Sequence, residues 1–242
     1  MTRPTVVLLP GLLCDHAAWA AQCAALTDAH CIVPSYGLRD SIEAMARGVL
    51  QAVPADRFAL AGHSMGARVA LEIVREAPQR VERLALFDTG LDAIAPGPDG
   101  ARERAQREAL LALANERGMR AMGLQWAPNM VLPAHREAPV FERILAMIER
   151  KTPAEFETQV RALLGRPEPR AVFAAIRCPV LIGCGRQDAW SPLTRHQQMQ
   201  RLLPASHLAV IEESGHMSPM EQPAAVSRAL VAWLASPAVQ AH

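Results

Sequence analysis

The sequence predicts an α/β fold built on a mostly parallel sheet, and three observations carry that reading. Six short runs rich in Val, Ile and Leu recur along the 242 residues: TVVLLP (5–10), CIVP (31–34), RFALAG (57–62), RLALFD (83–88), PVLIGCG (179–185) and HLAVIE (207–212). Runs that are apolar throughout, without period-two alternation, suit strands covered on both faces of a parallel sheet. Helical patterns separate most of them, as strand–helix–strand crossovers require. Between residues 90 and about 175 the alternation stops and helical patterns follow one another, which predicts a helical insertion.

Taken in order, the first run is followed by the turn Pro10-Gly11 and the second by a polar loop, Tyr36-Gly37-Leu38-Arg39-Asp40. Asp40-Ser41-Ile42-Glu43 then offers a capping box before Ile42, Met45, Val49 and Val53. The third run leads straight into a helix with Met65, Val69 and Ile73 on one face and Ala70 and Val74 beside them. Arg68, Glu72, Arg75 and Glu76 fall on the face expected to meet water.

Inside the insertion, Asp99 precedes a charged segment ending at Gly118, after which come Met119, Met122 and Trp126. Pro139 precedes Phe141, Ile144, Leu145 and Ile148, and Thr152-Pro153-Ala154-Glu155 is a second capping box leading to a stop at Gly165. Ser191-Pro192 opens a helix with Leu193, Met199 and Leu202, and Pro223 starts a final one carrying Val226, Leu230 and Trp233. The expected division is a core of 1–89 and 176–242 with a helical cap at 90–175.

Composition narrows the function classes. A chain of this length buries roughly 70–75% of its unfolded surface, enough for a sizeable core. Formal charge is +1 and charged residues make up 20%, so nothing favours nucleic acid or an anionic membrane surface as partner. Lys151 is the only lysine among 25 basic residues, a bias that reads as bacterial GC-rich coding. Five cysteines, Cys14, Cys23, Cys31, Cys178 and Cys184, are odd in number and form no CxxC pair, as expected for reduced, mostly buried thiols in the cytoplasm. Pro10-Gly11 interrupts the apolar N-terminal stretch, and Leu13 precedes Cys14 where a lipobox needs a small residue, so export is not expected. No apolar run is long enough to span a membrane.

Chemistry enters at Gly62-His63-Ser64-Met65-Gly66. A serine at a helix start can simply be a cap; between a strand and a helix, flanked by glycines that let the two elements approach, the pattern reads as a nucleophile elbow. A serine hydroxyl needs a base and a group to orient that base. His216, in Gly215-His216-Met217-Ser218 after the last strand, is the expected base. His16, His30, His135, His196, His207 and His242 lie in helices, strand starts or the tail, and His63 is expected to support the elbow. Two aspartates end strands, Asp88 and Asp188; Asp188 is preferred because it lies one strand nearer His216, and Asp88 remains the competitor. Developing negative charge needs preset amide donors, expected from Met65, just after the serine, and Leu12, in the turn after the first strand.

Together these residues resemble the α/β-hydrolase superfamily over nearly the whole chain. Trp19 looks like a tryptophan that many members carry after this turn. Leu-Pro-Gly-Leu-Leu-Cys-Asp (9–15), Asp-Ala-Trp-Ser-Pro (188–192) and Gly-His-Met-Ser (215–218) look like small bacterial carboxylesterase-type hydrolases. The resemblance implies a six-stranded sheet, the first strand beginning almost at Met1 without a leading antiparallel hairpin, and no metal or organic cofactor. It also implies a small-molecule ester substrate and a monomer or homodimer. Pro10 stands where the usual pattern has His, and Tyr36-Gly37-Leu38-Arg39-Asp40 departs from the usual Gly-x-Gly-x-Ser. Candidates for the pocket wall are Leu13, Trp126, Trp190 and Met217, with Met119, Met122, Met130 and Phe141, which together predict an apolar acyl or aromatic slot. Arg186 and Arg195 are weighed as carboxylate grips against a plain solvated role. C–C bond hydrolysis, enol-lactone or thioester cleavage with the same three residues, and simple ligand binding by a receptor, remain the alternatives.

Overall fold

The computed structural model describes residues 3–236. Six strands form one sheet: β1 Thr5–Leu9, β2 His30–Ile32, β3 Phe58–His63, β4 Val81–Phe87, β5 Val180–Gly185 and β6 His207–Ile211. Their order is β2-β1-β3-β4-β5-β6 and every neighbouring pair is parallel. β3 and β5 are buried along their whole length, while the edge strands β2 and β6 are partly exposed. This is why the central runs are uniformly apolar.

Among the described residues there are ten helices: α1 Ala20–Ala25, α2 Ile42–Ala52, α3 Met65–Glu76, α4 Gly97–Trp126, α5 Pro139–Glu149, α6 Pro153–Leu164, α7 Arg170–Ala174, α8 Leu193–Leu202, α9 Ser218–Glu221 and α10 Pro223–Ala235. Four of them, α4 to α7, lie between β4 and β5. Gly118 (φ 85°, ψ 166°) breaks α4 into two runs at the position where the sequence pattern changes. The Thr152–Glu155 capping box is formed in both directions at the start of α6. At α2 only half of the expected box exists: Ser41 accepts from the Ala44 amide. Ser191 caps nothing at α8; its own amide donates to Asp188.

Glu72 departs from its expected solvent face. It is buried on α3 and paired with Arg75 at 3.1 Å. No helix among the described residues is long and apolar enough to cross a membrane.

Strand order reverses between β1 and β3, and in open parallel sheets the crevice at such a switch point, beyond the carboxyl ends of the strands, is where ligands bind. The loops leaving β1 and β3 carry Leu12 and Ser64. Four non-glycine residues have positive φ, and each follows a strand end at this edge: Leu13 (59°), Ser64 (53°), Asp88 (49°) and Glu213 (52°). Backbone strain of this kind persists only where surrounding contacts enforce it, and it gathers at functional sites.

Candidate active site

Ser64 sits between β3 and α3 with φ 53° and ψ −114°. The turn is this sharp because strand and helix nearly touch. A Cβ on Gly66 would lie 2.2 Å from the Leu9 carbonyl oxygen, and one on Gly62 2.5 Å from that of Gly66. The strained serine is held on three sides: its amide donates to Phe87 O at 2.9 Å, and its carbonyl accepts from the Ala67 amide and the Thr89 hydroxyl, each at 3.1 Å. Thr89 is anchored in turn by His196 of α8, whose Nε2 accepts the Thr89 amide at 3.0 Å. Burial pulls the His196 pKa down to about 4, which keeps that nitrogen an acceptor.

The loop after β6 brings His216 to the serine: Nε2 lies 2.8 Å from Ser64 Oγ, and Nδ1 lies 2.8 Å from Asp188 Oδ2. Asp188 Oδ1 accepts from the Trp190 and Ser191 amides at 2.8 and 2.9 Å. Burial alone would raise the pKa of this carboxylate; the facing imidazole, its hydrogen bond and the two amides outweigh burial and hold it below the ordinary value. His216 shows the mirror image, with burial opposed and overcome by Asp188, so its pKa is raised.

Asp88 occupies a different place. It accepts from the Gly185 amide at 2.8 Å and from the Ser218 hydroxyl, and lies 3.5 Å from His63 Nε2. Burial and repulsion by Asp188 push its pKa up to about 8. Two strand-end carboxyls are thus driven apart, one charged against the imidazole and one neutral beneath it. His63 is buried, and its Nε2 donates to the His216 carbonyl at 2.7 Å. Burial, with His216 beside it, pulls its pKa down to about 3.

Asp88, Asp188 and Cys184 place potential ligand atoms within 4.8 Å of one another. Both Asp188 oxygens already accept hydrogen bonds, as do both of Asp88, and burial raises the Cys184 thiol far from ionisation. The two carboxyls are engaged in hydrogen bonds within the protein and the thiol is held un-ionised.

The amide of Met65 opens α3, where the first helical N–H groups lack intrahelical acceptors and the helix dipole favours negative charge. Leu12 shares the same cavity wall. Its loop is fixed by contacts that no local pattern announces. The Tyr36 hydroxyl donates to Pro10 O at 3.0 Å, and the Leu13 amide donates at 2.8 Å to Gln159 Oε1 of α6, 146 residues away. The unusual segment after β2 and the helical segment between β4 and β5 therefore brace the turn that Pro10 begins. Glu221 does the same for the His216 loop, its buried carboxylate accepting from the amides of Gly215, Met217 and Leu132. Gln159 and the link from Glu221 to Leu132 escape sequence reading because those partners are set by packing alone.

Ser64 and His216 open into a cavity of about 1280 Å³, with Asp188 buried behind the imidazole. Trp126 and Trp190 line it, Trp190 with its ring 5.0 Å from that of His216 and 5.4 Å from that of Trp126. Met130 is also on the wall. Leu13 and Met217 are not: both are fully buried, Leu13 turned into the core by its positive φ and Met217 packed at the start of α9. Met119, Met122 and Phe141 likewise lie off the wall. The expected apolar slot is corrected too, because Arg68, Arg107, Arg166 and Glu103 line one side. Arg68 lies opposite the apolar face of α3, where water is expected, yet it shares the cavity wall with Glu103, Arg107 and Arg166 from the segment between β4 and β5, while Arg75 and Glu76 stay exposed. Arg186 is exposed and paired with Glu212, while Arg195 reaches the wall. Trp19 is buried edge-on to His63 and Phe87. The five cysteines are free, only Cys14 and Cys184 fully buried. His242 lies outside the described residues.

Residues 6–229 match the model of the alpha/beta hydrolase family. A putative carbamate hydrolase RutD of Klebsiella pneumoniae subsp. pneumoniae is 28% identical, covering 88% of this chain and 84% of the relative. A pimeloyl-[acyl-carrier protein] methyl ester esterase of Aromatoleum aromaticum is also 28% identical, over 92% of this chain and 95% of its own. Among solved structures, a thermophilic esterase from Thermogutta terrifontis with malate bound superposes with a TM-score of 0.84 at 28% identity, covering 96% of this chain and 90% of that one. The chain belongs to the alpha/beta hydrolase family.

Proposed function

We propose that this protein is a serine hydrolase that cleaves small carboxylic esters through an acyl-enzyme. The observation that carries the proposal is the unbroken hydrogen-bonded relay from Ser64 Oγ through His216 to Asp188, with both links at 2.8 Å, at the floor of a cavity. In the acylation step His216 Nε2 takes the Ser64 proton as Oγ adds to the ester carbonyl. The alkoxide that forms is held by the Leu12 and Met65 amides. Collapse expels the alcohol, which leaves with the proton returned by His216. Water, deprotonated by the same nitrogen, then adds to the acyl-enzyme; its collapse releases the acid and re-protonates Ser64. Asp188 holds the imidazole in the tautomer with Nδ1 protonated and stabilises the imidazolium that forms twice per cycle.

No step calls for a metal or an organic cofactor. Trp126 and Trp190 form the aromatic part of the substrate wall, and the helical segment 90–175 acts as the cap that roofs the site. Esterases among the relatives support an ester as the bond cleaved, and the putative carbamate hydrolases among them make a carbamate the second reading. Five unpaired cysteines support a cytoplasmic setting. The proposal is tested with a fluorophosphonate probe, which should label the wild-type protein and leave Ser64→Ala unlabelled. Equal labelling of the two removes Ser64 as nucleophile.

A further inference from the structure

Five arginines line the cavity, and four of them have acceptors. Arg166 makes paired hydrogen bonds to Glu103 at 2.8 and 2.9 Å, and Arg107 shares the same carboxylate. Arg136 donates to Pro128 O at 2.8 Å, and Arg195 lies 3.5 Å from both Asp92 and Trp190 O. Arg68 has none: among the described residues its guanidinium makes no hydrogen bond and no ion pair, and its Nη1 is shielded from solvent without a partner. Asp92, the acid that would naturally neutralise it, is already shared by Arg170 and Arg195.

A buried donor without an acceptor is rare in folded proteins and asks for an explanation. Asp92 and Glu103 act on the half-buried Arg68 only from a distance, without contact, so its own hydrogen-bonding capacity is unused. Burial, with Arg166 and Arg195 nearby, draws the Arg68 pKa down to about 9, which still leaves it protonated at neutral pH. Arg68 also follows Ser64 by four residues on α3, about 6 Å along the helix axis. Both residues line one cavity.

We infer that Arg68 is the anchor for a carboxylate on the substrate, so that the preferred ester is a monoester of a short dicarboxylic acid whose free end pairs with this guanidinium. The inference rests on the esterase reading and sharpens it. One unpartnered guanidinium balances one unit of negative charge, which fits a carboxylate held in a two-pronged pair better than a doubly charged phosphate. Ser64 caps α3 and Arg68 stands one turn further on, so a short diacid spans the two groups better than a long one.

The test compares monomethyl glutarate with its terminal amide, two molecules of one shape that differ by the charge. Wild-type kcat/KM should favour the acid by about 10- to 100-fold, the worth of a charge-assisted hydrogen bond. Arg68→Gln should bring that ratio close to one, and Arg68→Lys should restore part of it. Binding of the same pair to Ser64→Ala, followed by calorimetry, reads the subsite without turnover, so loss of the esterase reading leaves this arm standing. Tighter binding of the acid there, abolished by adding Arg68→Gln, supports the anchor. Equal binding of acid and amide to Ser64→Ala, or none of either, overturns it even where neutral esters are hydrolysed.

Discussion

Replacing Asp188 and Asp88 in turn by Asn separates the two strand-end carboxyls by function. Asp188 faces the ring that becomes cationic during the reaction, with Oδ2 2.8 Å from Nδ1. With the charge centres about 4 Å apart and an effective dielectric of about 20, the attraction is about 4 kcal/mol, or roughly a thousandfold in rate. Asn removes the charge and also permits the wrong imidazole tautomer, which brings the expected loss in kcat to about 10³–10⁴-fold. Asp88 is held neutral by burial and by Asp188, with its pKa near 8, and its two contacts are an amide and a hydroxyl. An asparagine there accepts from the Gly185 amide through its oxygen and donates to the Ser218 oxygen. Asp88→Asn should therefore keep kcat within a few-fold of wild type. Initial rates of p-nitrophenyl ester hydrolysis, with folding of both variants checked by circular dichroism, measure the contrast. A large loss in Asp88→Asn with a small one in Asp188→Asn would refute the assignment and move the orienting role to Asp88.

Four further outcomes follow from the same geometry. Gln159→Leu leaves the buried Leu13 amide without its acceptor, so stability should fall by about 1–3 kcal/mol; because the oxyanion turn loosens, kcat should fall more than KM changes, and unaltered kcat with unaltered denaturant midpoint would dismiss the brace. Gly66→Ala sets a methyl 2.2 Å from the Leu9 carbonyl oxygen, a backbone atom that cannot step aside, so the variant should unfold at markedly lower temperature than wild type in a calorimetric scan. The acid limb of kcat/KM should lie above the ordinary histidine value of 6.5, since Asp188 raises the His216 pKa, and should move down in Asp188→Asn. For Asp88 the sign runs the other way from an ion-paired acid: its folded pKa is raised, so its contribution to stability is lost as pH climbs from 3.8 to about 8, and Asp88→Asn should gain on wild type by up to about 1.4 kcal/mol per pH unit across that window.

The sequence by itself determined the sheet and singled out the candidate reacting groups. Uniformly apolar runs admit little besides buried parallel strands, and Gly62 and Gly66 mark a backbone approach too close for any Cβ, a constraint written in the residue type itself. Ser64, His216 and Asp188 could be named because each follows a strand end, and parallel strands deliver all such ends to one edge. Only the tertiary structure decided what surrounds them. Leu13 and Arg68 both depart from expectation: the leucine is buried off the cavity wall, and the arginine lines the cavity although its helical position points to water. The Gln159 brace and the link from Glu221 to Leu132 were out of reach, since hydrogen bonds between residues 146 and 89 positions apart depend on how whole helices pack, and periodicity reports only which face of an element is apolar.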